Sequence, residues 1–536
     1  MINIENKIKK EINNVLKELN SDIDVCIELE VPNNYENGNF STNIAMKLKK
    51  IFNDNPRNIA EKIVDKLKID EIEKIEIAGP GFINFYLNDE FFSNVVENII
   101  SADDFIFDTK ENANYNVEFV SANPTGDLHL GHARNAVFGD TIANLLKKIG
   151  NDVKKEYYIN DAGSQMTNLG LSVKHFYYEL LKLESVLPED GYGGEEIKKI
   201  ANKIYQEYGD QCINNETQWF VEYAYEITLK EIKKVLNDLN VGFDLWTSER
   251  DLYTKNLVIE NLKKLEEKGD VYYQDDAMWL NTKKYFDDKD RVLKKSDGNY
   301  TYFASDVAYH INKFDRGFDK LIDVWGGDHH GYINRVKSAI YSLGYSEQNF
   351  EVIIIQMINI LQNNERVKMS KRKGTSVRIK DILTEIDADV LRYFFLLRSN
   401  DTQIDFDLDL AKKETSENPI FYIQYAHARI NTLIEKAGNV DFTLKINEFS
   451  EQEKEIINKL YGYENMIVNA ANKRLPHLVC NYLYELASLY HSYYNSEKIF
   501  NNNNDKINDK IKIAFAIKKI LKDGLNTLGI KEKNKM

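Results

Sequence analysis

The sequence predicts an α/β protein: a parallel sheet with crossover helices, preceded by a small α/β domain and followed by an all-α helical bundle. Three observations predict this. Between about residues 111 and 405, short β-branched and aromatic runs alternate with helical patterns, the arrangement that produces parallel βαβ units. From about residue 406 onward glycine is sparse and apolar residues recur at helical spacing. Before about residue 110, a helical pattern leads into two strand-like runs around Gly79-Pro80-Gly81.

A chain of 536 residues, at about 150 residues per domain, has room for three such domains: 1–110, 111–405 and 406–536. It is 43% hydrophobic and 29% charged, the balance of a globular protein with large cores. No apolar run is long enough for a membrane span. The first helix is amphipathic and does not read as a secretory signal. Cys26, Cys212 and Cys480 are few and far apart, which argues against a disulfide framework or a structural zinc site and for a reducing cytoplasm. The net charge of −15 means that any nucleic-acid contact must rest on local basic patches. One such patch is the last 36 residues, with nine Lys against four Asp or Glu.

In the N-terminal part, a helix is expected over Ile4 to Leu19. Pro56 stands near the start of another, with Ile59, Ile63 and Leu67 on one face. Strand, turn and strand then run from Ile72 to Leu87.

The chemistry centres on VEFVSANPTGDLHLGHARN, residues 117–135. Val117 to Val120 reads as a strand and Asn123-Pro124-Thr125-Gly126 as a loop. A helix should run from about Leu130 to Ile149 and stop at Gly150. His129 and His132, three apart, share one side of its first turn. Gly131 between them leaves room for a flat ring against the backbone. Free amides at such a helix start favour a phosphate, and two imidazoles can add hydrogen bonds to charge developing there.

Farther along, Glu156 to Ile159 is a second strand, a loop follows at Asn160–Gly163, and a helix begins near Ser164. Residues from about 165 to 245 form a charged helical insertion with no chemical signature. Asp306 lies in the apolar run FASDVAYH, and a carboxylate is costly to bury unless it is paired. Tyr302 lies in an alternating run and reads equally well as a core tyrosine. His329 and His330 beside Asp328 lack further ligands at suitable spacing, so a metal site is rejected and none is expected elsewhere. Arg366 to Lys373 carries five basic residues in eight positions, with Gly374 next; mobile lysines suit a pyrophosphate leaving group. Helices are then expected from Asn418-Pro419 through QYAHARI, and at 451–472, 477–495 and 509–528.

These motifs resemble those of the class I aminoacyl-tRNA synthetases. HLGH resembles their HIGH motif and KMSKR, at 368–372, their KMSKS motif. The surrounding wording is similar to the arginyl-tRNA synthetases: FVSANPTG, the Ser248-Glu249-Arg250 triplet, KSDGNYTYFASDVAYH and WGGDHHGY. The N-terminal ENGNFSTNIAMKL and GFINFYL resemble that family's own N-terminal domain. Gly327 stands where the family usually has Ala, Ala304-Ser305 where it has Leu-Pro, Lys498 where it often has Arg, and the chain ends differently, in KEKNKM.

The resemblance implies a Rossmann-like class I core and ligation of arginine to tRNA. His129, His132, Lys368 and Lys371 would act on the α-phosphate and pyrophosphate, with Gly131, Met369 and the same histidines and Lys371 seating ATP. Glu118, Asn123, Glu249, Tyr302, Asp306 and His330 would form the arginine site. Asp306 and Glu249 would hold the guanidinium, and His330 would lie near the adenylate. Phe82 and Asn84 would meet an unpaired base of the tRNA D-loop, and the helical bundle would read the anticodon. The implied partners are ATP with Mg²⁺, L-arginine and tRNA(Arg), acting on a cytoplasmic monomer with no membrane contact. Two other readings stay open at this stage: a small-molecule adenylyl- or nucleotidyltransferase of the same fold, and a non-catalytic RNA-binding relative.

Overall fold

The computed structural model describes residues 3–21, 23, 25–32, 37–107, 109, 112–363, 365–366, 377–438, 440–497 and 506–536, with residue 328 described for its backbone alone.

The chain opens with the helix Ile4–Leu19, as its pattern predicts: Ile4, Ile8, Ile12, Val15 and Leu16 are buried along one stripe, and Asn3 caps its start. It packs near the helix Pro56–Val64 and an antiparallel sheet with strand order 40–42, 82–87, 72–78. The hairpin between the last two strands turns through Gly79 and Gly81, both at positive φ (50° and 126°), which only glycine adopts without strain.

The central sheet is parallel throughout. Its strands lie in the order Phe350–Ile355, Lys320–Gly326, Asn114–Glu118, Asp152–Ile159, Leu245–Ser248. Chain order reverses on either side of Asn114–Glu118, so a crevice opens at the carboxyl ends beside this strand. The register pairs Glu118 with Asp323 across that switch point. The first strand ends two residues earlier than expected. Val120 and Ser121 take positive φ (67° and 40°), turning the chain out of the sheet. The bend is held because Val120 donates its amide to Asn135 Oδ1 at 2.6 Å, and Ser121 Oγ accepts the Tyr158 amide at 3.1 Å.

The helix Leu130–Lys148 crosses beneath this strand with fourteen buried residues. Gly139 is required there: a Cβ would stand 2.3 Å from the Phe119 ring. The insertion forms the helices Ser164–Leu180, Glu195–Tyr208 and Thr217–Asp238, with a core of their own. A small antiparallel sheet at 271–274, 277–280 and 291–294 was not legible as strands in the sequence. A second one holds Ile358–Gln362 between Glu365–Arg366 and the parallel Ile404–Asp407.

The C-terminal part is helical: Pro419–Ala437, Glu451–Tyr461, Tyr463–Lys473, His477–Glu497 and Ile507–Thr527. The helix expected over 451–472 is two, joined at Gly462. These helices pack on the N-terminal part. Tyr461 meets Phe91 edge-on at 5.3 Å, and Asn39 donates to Asn458 at 3.1 Å.

Candidate active site

A cleft of about 1020 Å³ lies at the carboxyl ends of the central strands. Seven of the expected residues line it: Glu118, Asn123, His129, Gly131, His132, Asp306 and His330.

His129 caps the helix Leu130–Lys148. Its Nδ1 accepts the Gly131 amide at 3.1 Å, and His132 Nδ1 accepts the His129 amide at 3.2 Å. A ring nitrogen that accepts carries no proton, so in the neutral rings the proton sits on Nε2. Gly131 serves His129 itself: a Cβ there would lie 3.0 Å from the His129 ring. Gly131 also lines the cleft. The first-turn amides are also in use rather than free. Leu130 donates to Val377 O at 3.1 Å, Gly131 to His129 Nδ1, and His132 to His129 O at 2.9 Å. An anion at this turn therefore meets imidazole N–H groups.

Lys368, Met369 and Lys371 lie outside the described residues. The chain that follows them is tied to the histidine turn. Besides the Leu130–Val377 bond, Ile379 donates to Leu128 O at 2.9 Å. Asp127 accepts from Arg378 at 3.2 Å and from Lys380 at 2.7 Å.

On the acidic side of the cleft, Asp306 sits in the helix Tyr302–Asp315, begun by the Thr301 cap. Its Oδ2 accepts the Tyr332 hydroxyl at 2.5 Å. Burial drives its carboxyl up to about 6 against the pull of that hydrogen bond. Glu249, only 3% exposed, is pushed up to about 7 by burial and then by Asp306 and Asp161. Among the described residues neither carboxyl pairs with a lysine or arginine. Two acids close together without a cation are costly, and a cationic ligand relieves them. Glu249 and Tyr302 do not line the cleft itself. Glu249 is buried beside Asp306, whereas Tyr302 is 66% exposed next to Gly163, so the core-tyrosine reading of Tyr302 fails.

Glu118 is already matched. Its Oε2 accepts from Lys313 at 2.5 Å and its Oε1 from Ser121 at 2.9 Å. Lys313, with no exposed surface, also reaches Asp323 at 2.9 Å, and Asp323 meets His310 at 2.7 Å. Against the cost of burial, Lys313 and His310 hold Asp323 down to about 2. Asn123 donates to Gln165 at 2.7 Å. In the N-terminal sheet Phe82 is exposed, but Asn84 is buried at 4% and accepts from Ser41 at 2.7 Å. That corrects the picture of a surface amide beside the ring: strand pairing of Ser41 with Asn84 covers it.

Sequence reading overlooked Tyr332, Asp127 and the Lys313–Asp323–His310 group. The last had a signal, since Asp323 interrupts the apolar run KLIDVW and His310 and Lys313 lie three apart on a buried helix face.

Family models match the chain almost end to end. The arginyl tRNA synthetase N-terminal domain covers residues 4–87, the class I (R) tRNA synthetase catalytic domain 95–432, and the DALR anticodon binding domain 423–536. The chain belongs to the arginyl-tRNA synthetase family. The arginine–tRNA ligase of Bacillus subtilis (strain 168) is 46% identical over 528 residues, 95% of this chain and 94% of that one. That of Oceanobacillus iheyensis is 43% identical over 550 residues, covering 99% of each. Among solved structures, the arginyl-tRNA synthetase of Thermus thermophilus shares the fold over 100% of both chains, with a TM-score of 0.77 at 19% identity. This synthetase thus has the class I parallel sheet, an N-terminal domain and a C-terminal helical domain. None of its described helices is long and apolar enough to cross a membrane.

Proposed function

We propose that this chain ligates L-arginine to tRNA(Arg) in two steps within the one cleft. First, the arginine carboxylate attacks the α-phosphorus of ATP. A carboxylate–phosphorus bond forms as the bond to the bridging oxygen breaks, and pyrophosphate leaves. Second, the 2′-hydroxyl of the terminal adenosine attacks the arginyl carbonyl, and AMP leaves.

The observation that carries this reading is that the Asp306 carboxyl, paired with no lysine or arginine among the described residues and with Glu249 buried beside it, lines the same cleft as the His129–His132 turn. The acids would seat the guanidinium, with Tyr302 at the entrance. Asn123 and His330 would contact the amino acid and adenylate, and Glu118, matched to Lys313, would orient the strand end. The Nε2–H groups of His129 and His132 would meet the phosphate oxygens as charge grows. Lys368 and Lys371 would draw off pyrophosphate, and Met369 would border the nucleotide. Mg²⁺ arrives with ATP and neutralises phosphate charge. In this reading the ATP phosphates would be its ligands. No structural zinc is invoked. Phe82 would stack on an unpaired tRNA base, and the C-terminal helices would take the anticodon. The protein would act as a cytoplasmic monomer.

The test is aminoacylation of total tRNA with each of the twenty radiolabelled amino acids. Arginine alone should be incorporated; incorporation of another amino acid, or of none, would overturn the proposal.

A further inference from the structure

Asp306 accepts a hydrogen bond from Tyr332, which lies beyond the next strand in the chain. Helix Tyr302–Asp315 leads into the strand Lys320–Gly326, and the turn Gly327–Tyr332 then brings Tyr332 back over the helix. The ring is fixed on three sides: Phe303 edge-on at 6.2 Å, Trp325 at 6.2 Å, and the Arg335 guanidinium 5.3 Å from its centroid. So placed, its hydroxyl donates to Asp306 Oδ2 at 2.5 Å.

We infer that Tyr332 is a positioning and specificity residue for arginine, holding the Asp306 carboxylate in the plane from which Oδ1 faces the guanidinium. The inference rests on the reading of Asp306 as a guanidinium ligand. Its physical content is an assignment of oxygens. With one lone pair of Oδ2 taken by the tyrosine, Oδ1 is the less engaged oxygen, and on this reading the second terminal nitrogen of a guanidinium would turn toward Glu249, buried beside Asp306. A single ammonium, as in lysine, satisfies Oδ1 and leaves Glu249 unmatched, which a buried site penalises heavily. A hydrogen bond to the charged form also favours ionisation of Asp306. The groups facing that carboxylate are Glu249, Glu118 and Asp323, which oppose its charge, and His310 and Tyr332, which support it. Arg335 and Arg291 in turn face Tyr332.

The experiment uses the full-length protein with Tyr332→Phe and Asp306→Asn, measured by arginine-dependent pyrophosphate exchange in the presence of tRNA(Arg). For Tyr332→Phe the KM for arginine should rise about tenfold or more, the usual scale for losing a hydrogen bond to a charged group. The KM for ATP and kcat should stay within about twofold, and inhibition by lysine should strengthen relative to arginine binding. The acid limb of kcat/KM for arginine should move to higher pH. A merely structural tyrosine would shift neither the limb nor the arginine–lysine ratio. If Asp306→Asn raises the arginine KM but Tyr332→Phe leaves the KM and the acid limb in place, the inference is overturned. If Asp306→Asn itself leaves arginine binding intact, the guanidinium reading of the pocket fails, and this inference with it.

Discussion

The imidazole rings of His129 and His132 stack with centroids 3.6 Å apart and planes 18° apart, each giving its Nδ1 to a backbone amide of the turn that carries it. The pair therefore caps a helix and presents two Nε2–H groups from one rigid unit. His132→Ala should lower the kcat of pyrophosphate exchange by about 100- to 1000-fold, as loss of one oriented donor does elsewhere. Arginine binding should change little. Loss of the cap should cost about 1 kcal/mol, read as a lower melting temperature. Unchanged turnover would remove His132 from the chemistry.

The raised carboxyls make a prediction about pH. Asp306 stands at about 6 and Glu249 at about 7 in the ligand-free chain. Each folded group holds its proton where an unfolded one has lost it, so this contribution to stability is full below about pH 4 and disappears as pH rises toward 7. On the guanidinium reading proposed above, bound arginine would reverse the preference and expel the protons. Its affinity should rise from pH 5 to 7.5, by up to about tenfold per pH unit for each proton released. Calorimetric titration at pH 6 in buffers of different ionisation enthalpy should show protons leaving; a buffer-independent heat would contradict the paired-acid site.

Lys313 is the counter-charge for two buried acids, Glu118 and Asp323. Lys313→Met keeps the volume and removes the charge. We expect a loss of about 3–5 kcal/mol, the cost of leaving buried charge unmatched, seen as a marked fall in melting temperature. Wild-type stability in that variant would mean the acids are protonated in the native chain.

Asp127 ties Arg378 and Lys380 to the histidine turn. Asp127→Asn should reduce the rate of pyrophosphate exchange by about 5- to 30-fold, the range expected for losing charge-assisted hydrogen bonds. The arginine KM should hold. An equal loss in arginine affinity would point to general loosening of the fold.

Much of this was legible beforehand because local chemistry and global topology agree. Strand, breaker and helix around HLGH follow from residue type alone, and the parallel sheet follows from alternation. What sequence could not supply were contacts between distant segments. Asp306 was suspect as a carboxylate in an apolar run, yet nothing local reveals that Tyr332, 26 positions on, donates to it. The closeness of Gly131 to the His129 ring is likewise set by the rotamer of His129, which spacing does not show. Nor does the sequence show that Asn84 is buried and bonded to Ser41 on the neighbouring strand.

The seam between the two ends of the chain has a consequence for length. Tyr461 lodged against Phe91, Asn39 bonded to Asn458 and Lys454 paired with Asp89 fasten the N-terminal sheet region to the helical domain. On the function proposed above, an RNA grasped at both places is held by a caliper of set span. A tRNA with every correct base but one extra base pair in the intervening stem would reach either jaw but not both together, and the gain from double attachment would vanish. The enzyme would then gauge its substrate by size before it reads a single letter.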